Sequence, residues 1–599
     1  MSSANVIILI IVLLLLLLLL LWLLRARLHH EWPFPPAYPV REFIIENELV
    51  IAGSAAAIAG VLTDPRVRQI QMVEVNRLDF SGFPTPAKNC AGLPDDYVIA
   101  LYRLLGTQPN LQNALDVINA AGGTNVFAEP NRITGKPWDP EPGPWDPEPG
   151  SYKGPASVSL ATEADFSRQW AFKLIGLLPY SQNTQAPHGG GVIVGVFDTS
   201  PYSPPEGVGQ AFALPMPQPF GVLTLIARQI HDWSNMPPSP PGPDLSDHGL
   251  FVAGLVHAVA PLSDIRLVKV LDTDRRGSMY RLMVGVHDFM TRDMLPRYAT
   301  GRDQTVLNFS LGIRIPPEDA ATFTHIPDVY NAMRIFENMM KLAQCMGAFV
   351  AAASGNESDK FPAPQPMNFP ALLSIGKPDP LPGKVVDRLD NVMGVASCTI
   401  QETISCFSNE GSIAAPGGNG ERRPYVLPGI MGVVERILPG LIQWLGPQYL
   451  KRAAPGQAGG PLTHGSIIYS ENCEPHTGEY TGPDCEFGVI GPIHDGNTGT
   501  AIKYRYWAGT SFATPLVSGL GAVYGSAGMQ NPDDIRQVIE NTMIIPPGRL
   551  AVPPAIDDGM GKGIIHIPEN ISQIPGKNAP GQDATTQPLP PKADTSPIQ

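Results

Sequence analysis

The sequence predicts an α/β protein: a mainly parallel sheet flanked by helices, preceded by an N-terminal transmembrane helix and a small α+β unit. Three observations predict it. Between Ser151 and Ile571 the strand-length runs "GVIVGVFD", "DIRLVKVLD", "TVLNFSLG" and "GAFVAAASGN" are nearly all apolar and alternate with helical segments. Such strands belong to a parallel sheet covered on both faces. Ahead of them, residues 39–134 mix strand and helix patterns, and Val6–Leu24 is apolar without a break. At 599 residues the chain exceeds one compact domain. Its net charge of −14, with no long basic run, argues against nucleic acid as a partner.

As a helix, Val6–Leu24 would span roughly 28 Å at about 1.5 Å per residue, enough for the hydrocarbon core. It reads as a retained single-pass anchor, because "MSSAN" before it is no basic n-region and "RARLHHEW" after it offers no small-residue cleavage site. The membrane is therefore an expected partner. Arg25 and Arg27 after the span point the body to the cytoplasm. Disulfides at Cys398/Cys406 and Cys473/Cys485 would instead require an oxidising compartment, and four thiols read equally well.

In the 39–134 unit, residues 41–80 read as strand, helix, strand. "DDYVIALYRLL" and "NLQNALDVINAAGG" have helical apolar spacing, and "TNVFAEPNRI" reads as a closing strand. Residues 135–152 form a linker around "PWDPEPGPWDPEPG", a seven-residue unit written twice, too rich in proline for a helix or central strand. The α/β body runs over 153–571. It carries an insertion at about 418–500 whose apolar stretch "VLPGIMGVVERILPGLIQWLGPQYL" fits a packed helical insertion, a lid or a segment lying on the membrane. The tail, 575–599, is polar and Pro-rich, the composition of a disordered segment.

Four residues in the body stand at the edges of elements. Asp198 closes "GVIVGVFD", His248 opens the helical pattern of "SDHGLFVAGLVHAVAP", Asn356 follows "AFVAAASG", and Ser511 lies in "YWAGTSFATPLVSG" ahead of an apolar helical run. Each alone reads as a cap or a turn residue. Together an acid, an imidazole, an amide and a hydroxyl at element edges supply orienter, base, oxyanion donor and nucleophile for acyl transfer.

The ordered set "VIVGVFDTS", "DHGLFVAGLV", "VLNFSLG", "AAASGNES" and "GTSFATPLVSG" resembles the subtilisin-like serine proteases (subtilases) over about residues 168–570. The resemblance implies a subtilisin-like endopeptidase acting on protein or peptide substrates. Asp198, His248 and Ser511 would be its triad and Asn356 its oxyanion donor. Ser310, Leu311 and Gly312 would pair with the substrate backbone, and Ala352, Ala353 and Ser354 would line the other side of the cleft. No cofactor is required for this chemistry. Family members often bind calcium, but no calcium loop or other metal site is readable in the sequence. Two departures stand out: Ser200 replaces the usual glycine after Asp-Thr, and Leu250-Phe251 replaces Thr-His. The 39–134 unit resembles the family's α+β propeptide, which implies a zymogen. Self-cleavage between about Ile133 and Gln169 would then free the body from the anchor. The alternative is a catalytically silent subtilase fold serving as a membrane-tethered interaction module, against which the complete residue set argues.

Overall fold

The structure is a computed structural model. It describes residues 44–106, 110–135, 160–202, 209–215, 220–236, 245–301, 304–313, 333–360, 364, 366–375, 388–419, 421–424, 469–474, 482–495, 502–545, 559–568 and 571. The apolar span 6–24, the repeat 137–150, the apolar stretch of the insertion and the tail lie outside the described residues. Among the described residues no helix is long and apolar enough to cross a membrane.

The N-terminal unit contains β1 (Ile44–Ser54), α1 (Ala55–Leu62), β2 (Met72–Asp79), α2 (Thr85–Ala91), β3 (Tyr97–Leu104), α3 (Leu111–Gly122) and β4 (Val126–Gly135). The strands form an antiparallel sheet with β1 between β3 and β4. Residues 97–104 are a strand, where the spacing predicts a helix. The reason is two-sided burial. Val98, Ala100 and Tyr102 enter a core against α1 and α3, whereas Tyr97, Ile99 and Leu101 enter the seam with the body. A strand apolar on both faces loses the alternation that would identify it.

The body contains β5 (Ile193–Asp198), β6 (Gly209–Ala213), β7 (Val222–Gln229), α4 (His248–Val259), β8 (Asp264–Lys269), β9 (Arg276–Ser278) and α5 (Met279–Phe289). There follow β10 (Thr305–Phe309), α6 (Arg334–Cys345), β11 (Ala348–Ala353), β12 (Val392–Cys398), β13 (Ile413–Pro416), β14 (Val489–His494), β15 (Ile502–Trp507), α7 (Thr510–Ser526) and α8 (Pro532–Thr542). The central sheet has the order β13-β12-β11-β10-β5-β8-β7-β6 and is parallel except for the edge pair β6–β7. Alternate residues serve opposite faces. Val194, Val196, Val306 and Ala351 join the core under α4 and α7; Ile193, Phe197, Leu307 and Val350 join the core under α5 and α6.

The second core is shared with the N-terminal unit, whose Val50, Phe80, Phe83 and Tyr97 pack there. The body's β9 extends the N-terminal sheet by pairing antiparallel with β4. A disulfide joins Cys90 on α2 to Cys345 at the end of α6. Neither cysteine pair suggested by the sequence forms: Cys398 and Cys485 are thiols, and Cys406 is disulfide-bonded elsewhere. Cys398 is buried with Ala396, Ala414 and Ile564, whereas Cys406 packs with Phe407 and Ala508 in a separate cluster. Burial drives the Cys398 thiol well above its ordinary range, and it packs as a small hydrophobe.

Candidate active site

Strand β5 is buried along its whole length and ends at Asp198. The next residue secures that end. Thr199 N–H donates to Asp198 Oδ1 (2.6 Å), Thr199 Oγ1 donates to Ser246 O (2.9 Å), and the same oxygen accepts from Gly249 N–H (3.1 Å). Thr199 thus ties the strand end to the start of α4, whose first residue is His248. His248 Nδ1 lies 2.7 Å from Asp198 Oδ1, with both side chains buried. A carboxylate only accepts, so this bond assigns the ring proton to Nδ1 and leaves the basic lone pair on Nε2. Gly249 has to be glycine for this approach, since a Cβ there would stand 2.1 Å from Thr199 O.

An aromatic wall backs the imidazole. Its ring centroid lies 5.1 Å from that of Phe512 and 5.6 Å from that of Trp507, which stack on each other. Phe251 packs against both. Water is excluded on that side, and a low dielectric strengthens the Asp198–His248 attraction. The second histidine of α4, His257, is pushed down to about 4 by burial, so it stays neutral and bonded to Phe220 O.

Ser511 is the second residue of α7. Its Oγ donates to Ser310 O (3.0 Å), and Ser310 Oγ donates to Ser511 O (2.7 Å). Behind them, Ser518 Oγ donates to Asn308 Oδ1 (2.8 Å) and Asn308 Nδ2 donates to Ser310 Oγ (2.9 Å). This ladder locks the head of α7 onto the end of β10. Pro515 sits inside the helix, where the N–H it lacks would have bonded Ser511 O; that carbonyl accepts from Ser310 Oγ instead.

Asn356 follows β11 after a turn. Its Oδ1 accepts from both Thr510 N–H (2.9 Å) and Thr510 Oγ1 (3.0 Å), which spends the amide oxygen and leaves Nδ2 as the outward donor. Thr510 lies within the serine motif, yet its hold on Asn356 is visible only in three dimensions. Asp198, Asn356 and Ser310 all stand at the carboxyl ends of strands, where open α/β sheets place their sites. His248 and Ser511 meet them from helix N-termini.

Ser310, Leu311 and Gly312 follow the end of β10, the first two buried and Gly312 half-buried. Ala352 and Ala353 close β11 and Ser354 follows it, all three buried; Ser354 Oγ donates to Asn409 O (3.1 Å). A polar cluster beyond Ser354 was not foreseen. The Glu357 carboxylate accepts from Asn368 Nδ2 (3.0 Å) and Asn409 Nδ2 (2.7 Å). Gly355, at φ 114°, makes room for it, since a Cβ would meet three of these polar atoms within 2.5 Å. The segment after β10 is also bonded from within the chain: Gly135 N–H, at the end of β4, donates to Gly312 O (3.0 Å). Among the described residues no group of His, Cys, Asp or Glu side chains could hold a metal ion.

The model of the subtilase family matches residues 225–563, a stretch that holds His248, Asn356 and Ser511; Asp198 lies ahead of it. Subtilisin-like protease 4 of Arthroderma gypseum is 29% identical over 170 residues, which cover 28% of this chain and 33% of that protein. The chain therefore matches about a third of the length of this curated relative. A solved structure, fervidolysin from Fervidobacterium pennivorans, described as a keratinolytic enzyme related to subtilisin, aligns over 88% of this chain and 60% of its own at 17% identity and a TM-score of 0.42. With more than half of its length matched by the family model, the chain belongs to the subtilase family.

Proposed function

We propose that this protein is a serine endopeptidase that hydrolyses protein or peptide substrates through Asp198, His248 and Ser511. The observation that carries the reading is the buried Asp198–His248 hydrogen bond, with the imidazole packed on Phe512, the residue after Ser511 in the first turn of α7. Ser511 Oγ leaves Ser310 O and attacks the scissile carbonyl while His248 Nε2 takes its proton. Asp198 stabilises the imidazolium, and the proton passes to the leaving amine. Asn356 Nδ2 and the Ser511 N–H receive the oxyanion, assisted by the positive end of α7. Ser310–Gly312 and Ala352–Ser354 align the substrate as an added strand. Catalysis needs no cofactor, and structural calcium is left out of the proposal.

The chain is made as a zymogen. This is supported by the Gly135–Gly312 bond, in which the N-terminal unit uses the rim that a substrate backbone would use. Val6–Leu24 anchors it as a single-pass membrane protein, on the strength of its unbroken apolar length. The body faces an oxidising compartment, a reading the Cys90–Cys345 disulfide favours over the two arginines after the span.

The test is reaction with a fluorophosphonate, followed by peptide mapping and turnover of a quenched fluorogenic peptide. Label on Ser511 together with hydrolysis is expected. Protein with its N-terminal unit removed that neither labels nor hydrolyses would leave the silent interaction module in its place.

A further inference from the structure

We infer that the processed protein is a two-chain molecule: the N-terminal unit stays on the body as a covalently held partner, and reduction of Cys90–Cys345 is the step that lets it leave. The inference rests on the zymogen reading, with self-cleavage between about Ile133 and Gln169. The two cysteines are 255 residues apart, one in each unit, so a single cut anywhere between them separates nothing. Freeing the body from the anchor by self-cleavage alone, as the sequence suggests, is therefore ruled out while this bond is intact.

The surface under the disulfide is built to receive this partner. Strand β4 pairs with β9 on one side, and its last residue bonds Gly312 on the other. Glu129 Oε1 accepts from Ile335 N–H at the start of α6 (3.1 Å), and Asn131 Oδ1 accepts from Tyr280 N–H at the start of α5 (3.1 Å). Phe80 stacks edge-on to His287 with ring centroids 4.8 Å apart. A fragment tied at one point to such a surface sees it at an effective concentration on the order of millimolar, far above a dilute substrate. It returns to the cleft faster than substrate can use it.

The bond is also reachable: Cys90 is exposed and Cys345 half-buried, unlike the enclosed Cys398. A dithiol reductant supplies the chemistry. Its thiolate attacks one sulfur of Cys90–Cys345, the S–S bond breaks, and a mixed disulfide forms. Its second thiol then closes the reductant's own disulfide, so that two electrons and two protons end on Cys90 and Cys345 as thiols.

The experiment uses the full chain with a recognition sequence for an added protease inserted between Gly135 and Leu160. After the cut, gel filtration at nanomolar concentration is run with and without dithiothreitol, on this protein and on its Cys90→Ser/Cys345→Ser form. The oxidised protein should keep its N-terminal fragment. Reductant, or the double substitution without reductant, should release it and raise fluorophosphonate labelling of Ser511 by about tenfold or more. The double variant separates this effect from reduction of the disulfide at Cys406. Loss of the fragment from the oxidised protein would overturn the inference. So would its retention by the double variant, because the seam alone would then suffice. Failure of a fragment-free body to label would instead sink the protease reading, while fragment release still decides the two-chain inference.

Discussion

The two faces of the central sheet use helix N-termini in opposite ways. On one face, α4 opens with His248 and α7 carries Ser511 as its second residue. On the other, α5 and α6 present their first N–H groups to Asn131 and Glu129 of another unit. The field at a helix N-terminus is the same in both cases, about half a positive charge. On the first face it would act on the charge that develops in the proposed reaction. On the second it holds a carboxyl group at a docking seam. A buried, perturbed acid is therefore no guide to chemistry by itself. Burial pushes Glu129 up to about 8, against the lowering effects of Ile335 N–H and Arg132, and Glu129 lies in the seam rather than the cleft.

The comparison breaks first at Ser511. Ser511→Ala should cut kcat by roughly a millionfold, as removal of a triad nucleophile does, while leaving the seam and the melting temperature intact. Steady-state kinetics that keep near-normal turnover would remove Ser511 from the chemistry. Asn356→Ala should lower kcat by roughly 100- to 1000-fold at nearly constant KM. A mainly KM effect would take Asn356 out of the oxyanion site.

The seam should respond to pH and not to chemistry. Docked Glu129 keeps its proton up to about 8, whereas an undocked carboxyl releases it near 4.5. The docked state thus binds the extra proton across that window. Docking is strongest below about 4.5, weakens as pH rises, by up to about tenfold per unit, and levels off above about 8. Arg132 on the same strand and Arg334 and Glu337 on α6 share the site; burial pushes Arg132 down to about 10, so it titrates only above the window. Melting temperature should fall from pH 6 to pH 8 in the Ser511→Ala protein and fall less with Glu129→Gln added. Parallel curves would show that Glu129 does not couple to docking. The smallest effect belongs to Thr510→Val, which deletes one of the two bonds to Asn356 Oδ1 and should lower kcat about fivefold without moving KM.

The cleft was more legible in the sequence than the seam. Asp198, Asn356 and Ser511 announce themselves because unbroken apolar strands or a small-residue motif lead straight into polar residues, a pattern with few other uses. The seam hides for physical reasons. Tyr97–Leu104 is apolar on both faces and mimics helical spacing. Cys90 and Cys345 meet across 255 residues, a pairing no local spacing suggests. Glu129 sits in "VFAEPNRI" as an ordinary charge on a strand, and only the approach of α6 shows that it is buried. Thr510 is the intermediate case: present in the motif, but with its role set by a partner 154 residues away.

The caps on α5 and α6 also set an order in time. Asn131 precedes Tyr280 by 149 residues, and Glu129 precedes Ile335 by 206. At about 5–20 residues per second, β4 leaves the ribosome roughly 7–30 s before the helix start that Asn131 caps and roughly 10–40 s before the one Glu129 caps. The antiparallel sheet of β1 to β4 closes within residues 44–135, so it is complete before either helix is synthesised. The acceptors wait for their donors. Each helix emerges onto a surface that already holds the partner for its first N–H groups, and the costly first turn forms against a template instead of in open water.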